Sequence, residues 1–310
     1  MIREKPTVSL GLPVFNGERF LDEAIRSLLA QTYEDFELII RDNGSTDGTE
    51  AICRRYADRD PRVKYVRSDR NLGAAINYNR CFELSSGTYF KWCAHDDVCA
   101  PSYLERCVTV LDRHPEVVLA YPRTVIIDEF GREVSEYADN IDLRSERPAE
   151  RLRALLARGP LECNAVFGLI RSDVLRRTPL IGRYAASDEN LLGELALRGQ
   201  IWQVPEPLFF RRDHPQTSLR ANASLKERER WFDPSWRGRI YLPCWRWLIE
   251  YVRSSRRVPL RAGERLRVYA VLLGWAYRRK RSLIGNLVLL VVPREWIEGL
   301  LGRHPGPVRP

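Results

Sequence analysis

The chain has 310 residues, 44% of them hydrophobic and 29% charged, with 19 glycines and 19 prolines. That composition excludes a disordered, collagen-like or low-complexity chain and allows one large core, alone or with a smaller appendage. The net charge of +9 is unevenly spread: from Leu225 onward 19 Lys+Arg face 7 Asp+Glu, whereas the preceding residues carry 31 against 34.

In chain order, residues 8–14 (VSLGLPV) read as a buried strand ended by Asn16-Gly17. Phe20, Leu21, Ala24, Ile25, Leu28 and Leu29 then recur at helical spacing. Residues 36–41 form a second strand, closed by the turn-rich DNGSTDG, and a helix is expected over 46–57. A strand at 63–66, a helix over 74–84 and a strand at 88–93 (TYFKWC) follow. Pro101 suits a first helical turn, and that helix should stop before His114-Pro115. Further on, 117–120 and 124–127 read as two strands and 165–171 as another. A helix through Leu191, Leu192, Leu195 and Ala196 ends at Gly199, and LFFRR at 208–212 leads to Asp213-His214.

Strands separated by helices of about ten residues predict parallel pairing in an open α/β sheet, in which ligands bind at the carboxyl ends of the strands. Three polar clusters fall at such ends: residues 13–16, 42–46 and 95–97. Seven cysteines without a CxxC pair argue against a disulfide framework or zinc knuckle and suit a reducing compartment. The opening MIREKPTVSLGL carries no secretory pattern, so the cytoplasm is the expected location.

Each polar candidate has a structural alternative. Asp42 fits an Asx turn that satisfies its own backbone. Asn71 and Gly73 in RNLG fit the start of the following helix. Adjacent Asp96 and Asp97 fit a solvated turn, yet two carboxylates after an apolar strand also suit a hard cation, which prefers carboxylate oxygens and water. Asp188 fits a helix N-cap, and His214 a surface histidine before Pro215.

The segment VSLGLPVFNGERFLDEAIRSLLAQTYEDFELIIRDNGSTDGT resembles, nearly element for element, the opening of the family 2, GT-A-type inverting glycosyltransferases. SDRNLGAAINYNRC, AHDDV and SDENLLGELALRG are similar to that family's nucleotide-side segment, metal edge and base-bearing helix, so the resemblance spans roughly 6–220. It implies a GT-A α/β domain at 1–222 with a helical, basic extension at 223–310. It also implies sugar transfer from a nucleotide-diphosphate donor to a glycan or lipid-linked acceptor, with Mg²⁺ or Mn²⁺ as cofactor. By the same resemblance Asp42 holds the base edge of the nucleotide, flanked by Pro13 and Phe15, with Asn71 and Gly73 in support. Asp97 is the implied metal ligand, joined by His214, and Asp96 a contact to ribose or sugar. The family motif is commonly DxD, and Ala94 stands where its first Asp would be. Asp188 is the implied general base for an inverting displacement, with Glu189 as the fallback. His95 has no assigned role.

Six of the eight tryptophans lie beyond residue 230, among arginines and two apolar runs at 268–277 and 283–292. Neither run is long enough to span a bilayer. Two readings of this tail stand open: interfacial contact with an anionic membrane, which would make the protein peripheral on the cytoplasmic face, or a helical subdomain packed on the catalytic body. No nucleic-acid module is recognisable. Competing activities are nucleotidyl transfer, for which PVFNGERF lacks the basic glycine-rich loop, and non-catalytic nucleotide-sugar binding.

Overall fold

The computed structural model describes residues 5–138, 141–158, 164–238 and 242–291. Cys163, Trp296 and the end of the second apolar run therefore lie outside the described residues. The first part runs β1 (Val8–Val14), α1 (Glu18–Leu29), β2 (Phe36–Asp42), α2 (Thr49–Arg59), β3 (Val63–Arg67), α3 (Ala74–Glu83) and β4 (Tyr89–Trp92). Then come β5 (Val98–Cys99), α4 (Tyr103–Arg113), β6 (Val117–Ile127), β7 (Glu133–Tyr137), α5 (Pro148–Leu156), a 3-10 turn (Asn164–Phe167), β8 (Leu169–Arg171) and α6 (Ser172–Leu175). The remainder is α7 (Ser187–Arg198), β9 (Gln200–Arg212), α8 (Ser218–Ala221), α9 (Leu225–Phe232), α10 (Pro243–Arg257), α11 (Ala262–Arg278) and α12 (Lys280–Val291).

The described strands make one nine-stranded sheet, ordered β3-β2-β1-β4-β8-β6-β9-β5 with β7 alongside β6. Pairing is parallel through β3, β2, β1 and β4, as the βα alternation predicts. Beyond β4 it is mixed, because β8 and β5 run antiparallel to their neighbours while β6 and β9 pair in parallel. The chain thus leaves β3 at one edge and returns to the other side of β1. That reversal opens a crevice at the carboxyl ends of β1 and β4, where sheets of this kind receive ligands.

β1 and β2 are buried along their whole length, as strands covered on both faces must be. Helix α1 lays Phe20, Leu21, Ala24, Ile25 and Leu28 against one face and α3 packs on the other. A methyl group on Gly11 would lie 2.6 Å from Cys81 Cβ, so glycine lets α3 approach β1. Each buried Leu or Ile contributes about 1.5–3 kcal/mol.

Three local expectations change. The strands expected at 117–120 and 124–127 are one strand, β6, whose register shifts at Pro122 and Arg123, where a proline is tolerated in a sheet. The strand expected at 165–171 begins as a 3-10 turn, because Gly168 N–H bonds back to Ala165 O at 3.0 Å. The second helix starts at Thr49, later than expected. Asp47 takes the preceding residues into a turn by accepting from Glu18 N and Thr49 N.

Candidate active site

Two adjoining cavities lie over the crevice. One, of about 350 Å³, is lined by Pro13, Phe15, Asn16, Asn43, Asn71 and Asn77 from the β1, β2 and α3 edges, and by His95, Asp96, Asp97 and His214 opposite. The other, of about 470 Å³, holds Asp188 and Glu189 among Asn164, Ile181, Arg228, Trp247 and other side chains. Tyr78, Phe167, Arg211, Ser218 and Trp231 belong to both walls.

Asp97 is 8% exposed. Its Oδ1 accepts from Arg212 N at 2.9 Å, and no partner is recorded for Oδ2 among the described residues. Burial, then the neighbouring Asp96 charge, pushes its carboxyl up to about 8. Asp96 is held below the usual carboxylate range despite its own burial, by His95 and by a 3.0 Å bond to His214 Nε2. Buried Arg212 organises this edge. Its Nε donates to Asp96 O at 2.9 Å, while one terminal nitrogen meets Glu23 at 2.6 Å and the other reaches Asp128 O.

His214, the implied partner of Asp97 at the metal, lies in the same cavity wall. Gln216 N–H donates to its Nδ1 at 3.3 Å, which leaves the proton on Nε2 and makes Nε2 the donor to Asp96. Both ring nitrogens are engaged, so the residue orients Asp96.

Asp42, expected at the nucleotide base, lies behind the cavity wall. It is 0% exposed and does not line the cavity. Oδ1 accepts from Ser45 N at 2.8 Å, whereas Oδ2 accepts from Tyr65 Oη at 2.8 Å and pairs with Arg67 at 3.2 Å. The Asx-turn reading accounts for it: the carboxylate builds the rim. Its neighbour Asn43 reaches the cavity and fixes the 71–73 loop through Asn71 Oδ1 and Leu72 N. Gly73 is likewise buried outside the cavity wall, and its φ of +91° brings the backbone against Phe232 O, 2.7 Å from where a Cβ would sit. Pro13, Phe15 and Asn71 are wall residues.

Asp188 is not an N-cap. The cap position belongs to Ala186, held at φ 61°, which leaves Asp188 in the first turn of α7 with its side chain at the cavity. A non-glycine residue at such a φ is strained and persists only where its surroundings fix it. Here they do: Glu229 of α9 accepts from Ala185 N at 3.2 Å, and Trp247 Nε1 of α10 donates to Ala185 O at 3.0 Å. The C-terminal helices therefore position the turn that carries Asp188, and residues on both sides of 222 line this cavity. Burial raises the Asp188 carboxyl, and burial together with Asp188 pushes Glu189 up to about 7.

Tyr78 joins the two halves. Burial pushes its phenol up first, followed by the charges of Asp96, Asp97 and Asp188, so all three carboxylates act on one side chain. Sequence reasoning missed Tyr78, Arg212 and Asn43. Only Asn43 had a local signal, standing inside the DNGSTDG turn.

Among the described residues no three His, Cys, Asp or Glu side chains form a self-sufficient metal cluster. An open site is a different matter. Asp97, with one oxygen to spare and a charge that burial penalises, fits a hard cation whose shell is completed by substrate phosphate and water.

The fold and these edges define an α/β protein with a ligand crevice and paired carboxylates at its switch point. Residues 9–178 match the model of the family described as Glycosyl transferase family 2. An uncharacterized glycosyltransferase of Haemophilus influenzae is 30% identical over 229 residues, covering 72% of this chain and 70% of that one. Bacillus subtilis EpsE, named as a glycosyltransferase, is 35% identical over 127 residues, 41% of this chain and 46% of its own. In fold the chain is similar to S. aureus TarS 1–349 in complex with UDP, with TM-score 0.63, 15% identity and 95% and 78% of the two chains covered. It is also similar to the Pyrobaculum calidifontis mannosyltransferase PcManGT in complex with GDP-Man and Mn²⁺, with TM-score 0.56, 15% identity and 98% and 78% covered. The chain belongs to glycosyltransferase family 2 and has the GT-A-type fold.

Proposed function

We propose that the protein transfers a sugar from a nucleotide-diphosphate donor to an acceptor hydroxyl with inversion, in the building of a surface polysaccharide or glycolipid. The carrying observation is that Tyr78 lines both cavities, so the first, with Asp96 and Asp97, adjoins the second, with Asp188. The nucleotide lies in the first cavity against Pro13, Phe15, Asn43 and Asn71, and Asp96 faces the ribose or sugar. Asp97 would hold a divalent cation, Mg²⁺ or Mn²⁺, which when bound would supply positive charge against the diphosphate.

The acceptor enters the second cavity. Asp188 takes the proton of its hydroxyl, the oxygen attacks the anomeric carbon, and the bond from that carbon to the phosphate oxygen breaks with both electrons leaving on the diphosphate. One displacement gives one inversion, with no covalent intermediate. Asn164 supports an acceptor here: it is buried, lines this cavity, and its Nδ2 has no hydrogen-bond partner among the described residues. A buried donor without a partner is costly, and a substrate hydroxyl would satisfy it once a small side-chain rotation brings Nδ2 to the cavity surface.

The test is thermal stabilisation by UDP, GDP and dTDP, each with and without Mn²⁺. One nucleotide should raise the melting temperature, more so with Mn²⁺, and Asp97→Ala should lose the Mn²⁺ increment. No response to any of the three would sink the donor site.

A further inference from the structure

The outer surface of the C-terminal helices is apolar where solvent should make it polar. In α11, Val268, Val271, Leu272 and Trp275 turn inward, yet the opposite face carries Leu266, Leu273 and Tyr277, exposed by 68%, 72% and 69%. A helix apolar on both faces is ordinarily buried on both. The next helix repeats the pattern. Asn286 and Leu283 O of α12 bond to Cys244 N and Trp245 Nε1 of α10, while Ile284, Leu287 and Val288 stand exposed.

The charge around this ridge has one sign. Residues 251–291 contain ten Lys+Arg and a single acid, Glu264. That acid is mostly buried and committed to Ala149 N at 2.8 Å and Arg267 at 3.0 Å. Arg278 and Lys280 sit at the α11–α12 junction, and the Lys280 ammonium lies 4.1 Å over the Tyr277 ring. A second copy of the chain would set two cationic rims against each other. Nucleic acid would match the charge and leave the leucines uncovered. An anionic lipid surface satisfies both, taking the apolar side chains into the acyl boundary and the long cationic ones at headgroup level.

We infer that α11 and α12 form a docking face for the surface of an anionic bilayer. This goes beyond the transfer reaction and does not depend on it. The described residues contain no helix long and apolar enough to cross a membrane, so the contact lies on the surface.

The test is flotation of the full chain with vesicles of phosphatidylcholine alone and of phosphatidylcholine with phosphatidylglycerol. Binding should require the anionic lipid and fall steeply when salt is raised from about 0.1 to 1 M, as screening shortens. Leu273→Glu with Tyr277→Glu should weaken it at least tenfold while the melting transition stays in place, since both positions face solvent. The inference is overturned if the chain ignores both vesicles. Equal binding by the double variant overturns it, as does a dimer in sedimentation that the double variant dissolves. Flotation reads neither nucleotide binding nor transfer, so this inference and the proposed function fail separately.

Discussion

The two cavities are built by different means. The first is made from strand ends and the turns that follow them, and apart from Asp97, which keeps one oxygen free among the described residues, its polar groups are largely satisfied within the protein: Asp42 by Ser45, Tyr65 and Arg67, Asn43 by Asn71, Gly73 and Leu72, Asp96 by His214. The second is assembled from α3, the 3-10 turn, α7, α9 and α10, and it keeps a strained Ala186, two carboxylates with raised pKa and a donor without a partner. A pre-bonded rim suits a ligand whose shape is fixed, such as a nucleotide. Unpaired groups around a base suit chemistry, because they are satisfied only when substrate arrives.

The largest effect should separate the two cavities outright. Asp188→Asn is expected to cut transfer about a thousandfold and leave nucleotide affinity unchanged by calorimetry. Loss of nucleotide binding would mean that the cavities are not independent. Next comes the latch of the first cavity. Arg212→Met strips a buried guanidinium from Glu23 and from the Asp96–Asp97 turn, and should cost about 3 kcal/mol in chemical denaturation. An unchanged midpoint would show that the edge holds without it.

Asp42→Asn sharpens the distinction between building the rim and touching the ligand. It places an amide donor against Tyr65 and Arg67, and should cost about 2 kcal/mol of stability with little change in nucleotide affinity. A large affinity loss at unchanged stability would return Asp42 to the ligand. Asn164→Leu should do the opposite of an ordinary core mutation, since it removes a buried donor without a partner. Stability should hold or rise by about 1 kcal/mol, while the acceptor KM increases.

The smallest effect is a pH slope. Glu189 in the folded chain rises from 4.5 to about 7, so between those values the folded state holds more protons than the unfolded. Stability contributed by this group therefore falls as pH rises through that window. Glu189→Gln should flatten the slope across pH 5–7 in denaturation curves. In transfer assays, a rise in rate through pH 7 that survives Glu189→Gln keeps Asp188 as base, whereas its loss moves the role to Glu189.

Legibility followed the same division. The roles of Pro13 and Asn71 came through the resemblance. From residue 8 to 97 the helices are short and turn residues follow the strands, so local periodicity and turn chemistry gave the parallel edge and the polar clusters at 13–16, 42–46 and 95–97. It failed at 165–171, where an apolar run fits a strand and a 3-10 turn equally well. At Asp42 it could not say which way the carboxylate faces, since an Asx turn and a ligand contact call for the same residue.

What the sequence determined by itself is the α/β order and the places where carboxylates meet the sheet's ligand edge, because those follow from local spacing and turn residues, and, through the resemblance of its motifs, the family. Only the tertiary structure decided that Arg212, 115 residues beyond Asp97 in sequence, holds that edge together. It also decided that Glu229 and Trp247 fix the turn before Asp188, and that one face of α11 stays bare. Each depends on packing between segments far apart in the chain, and no local pattern encodes such a contact.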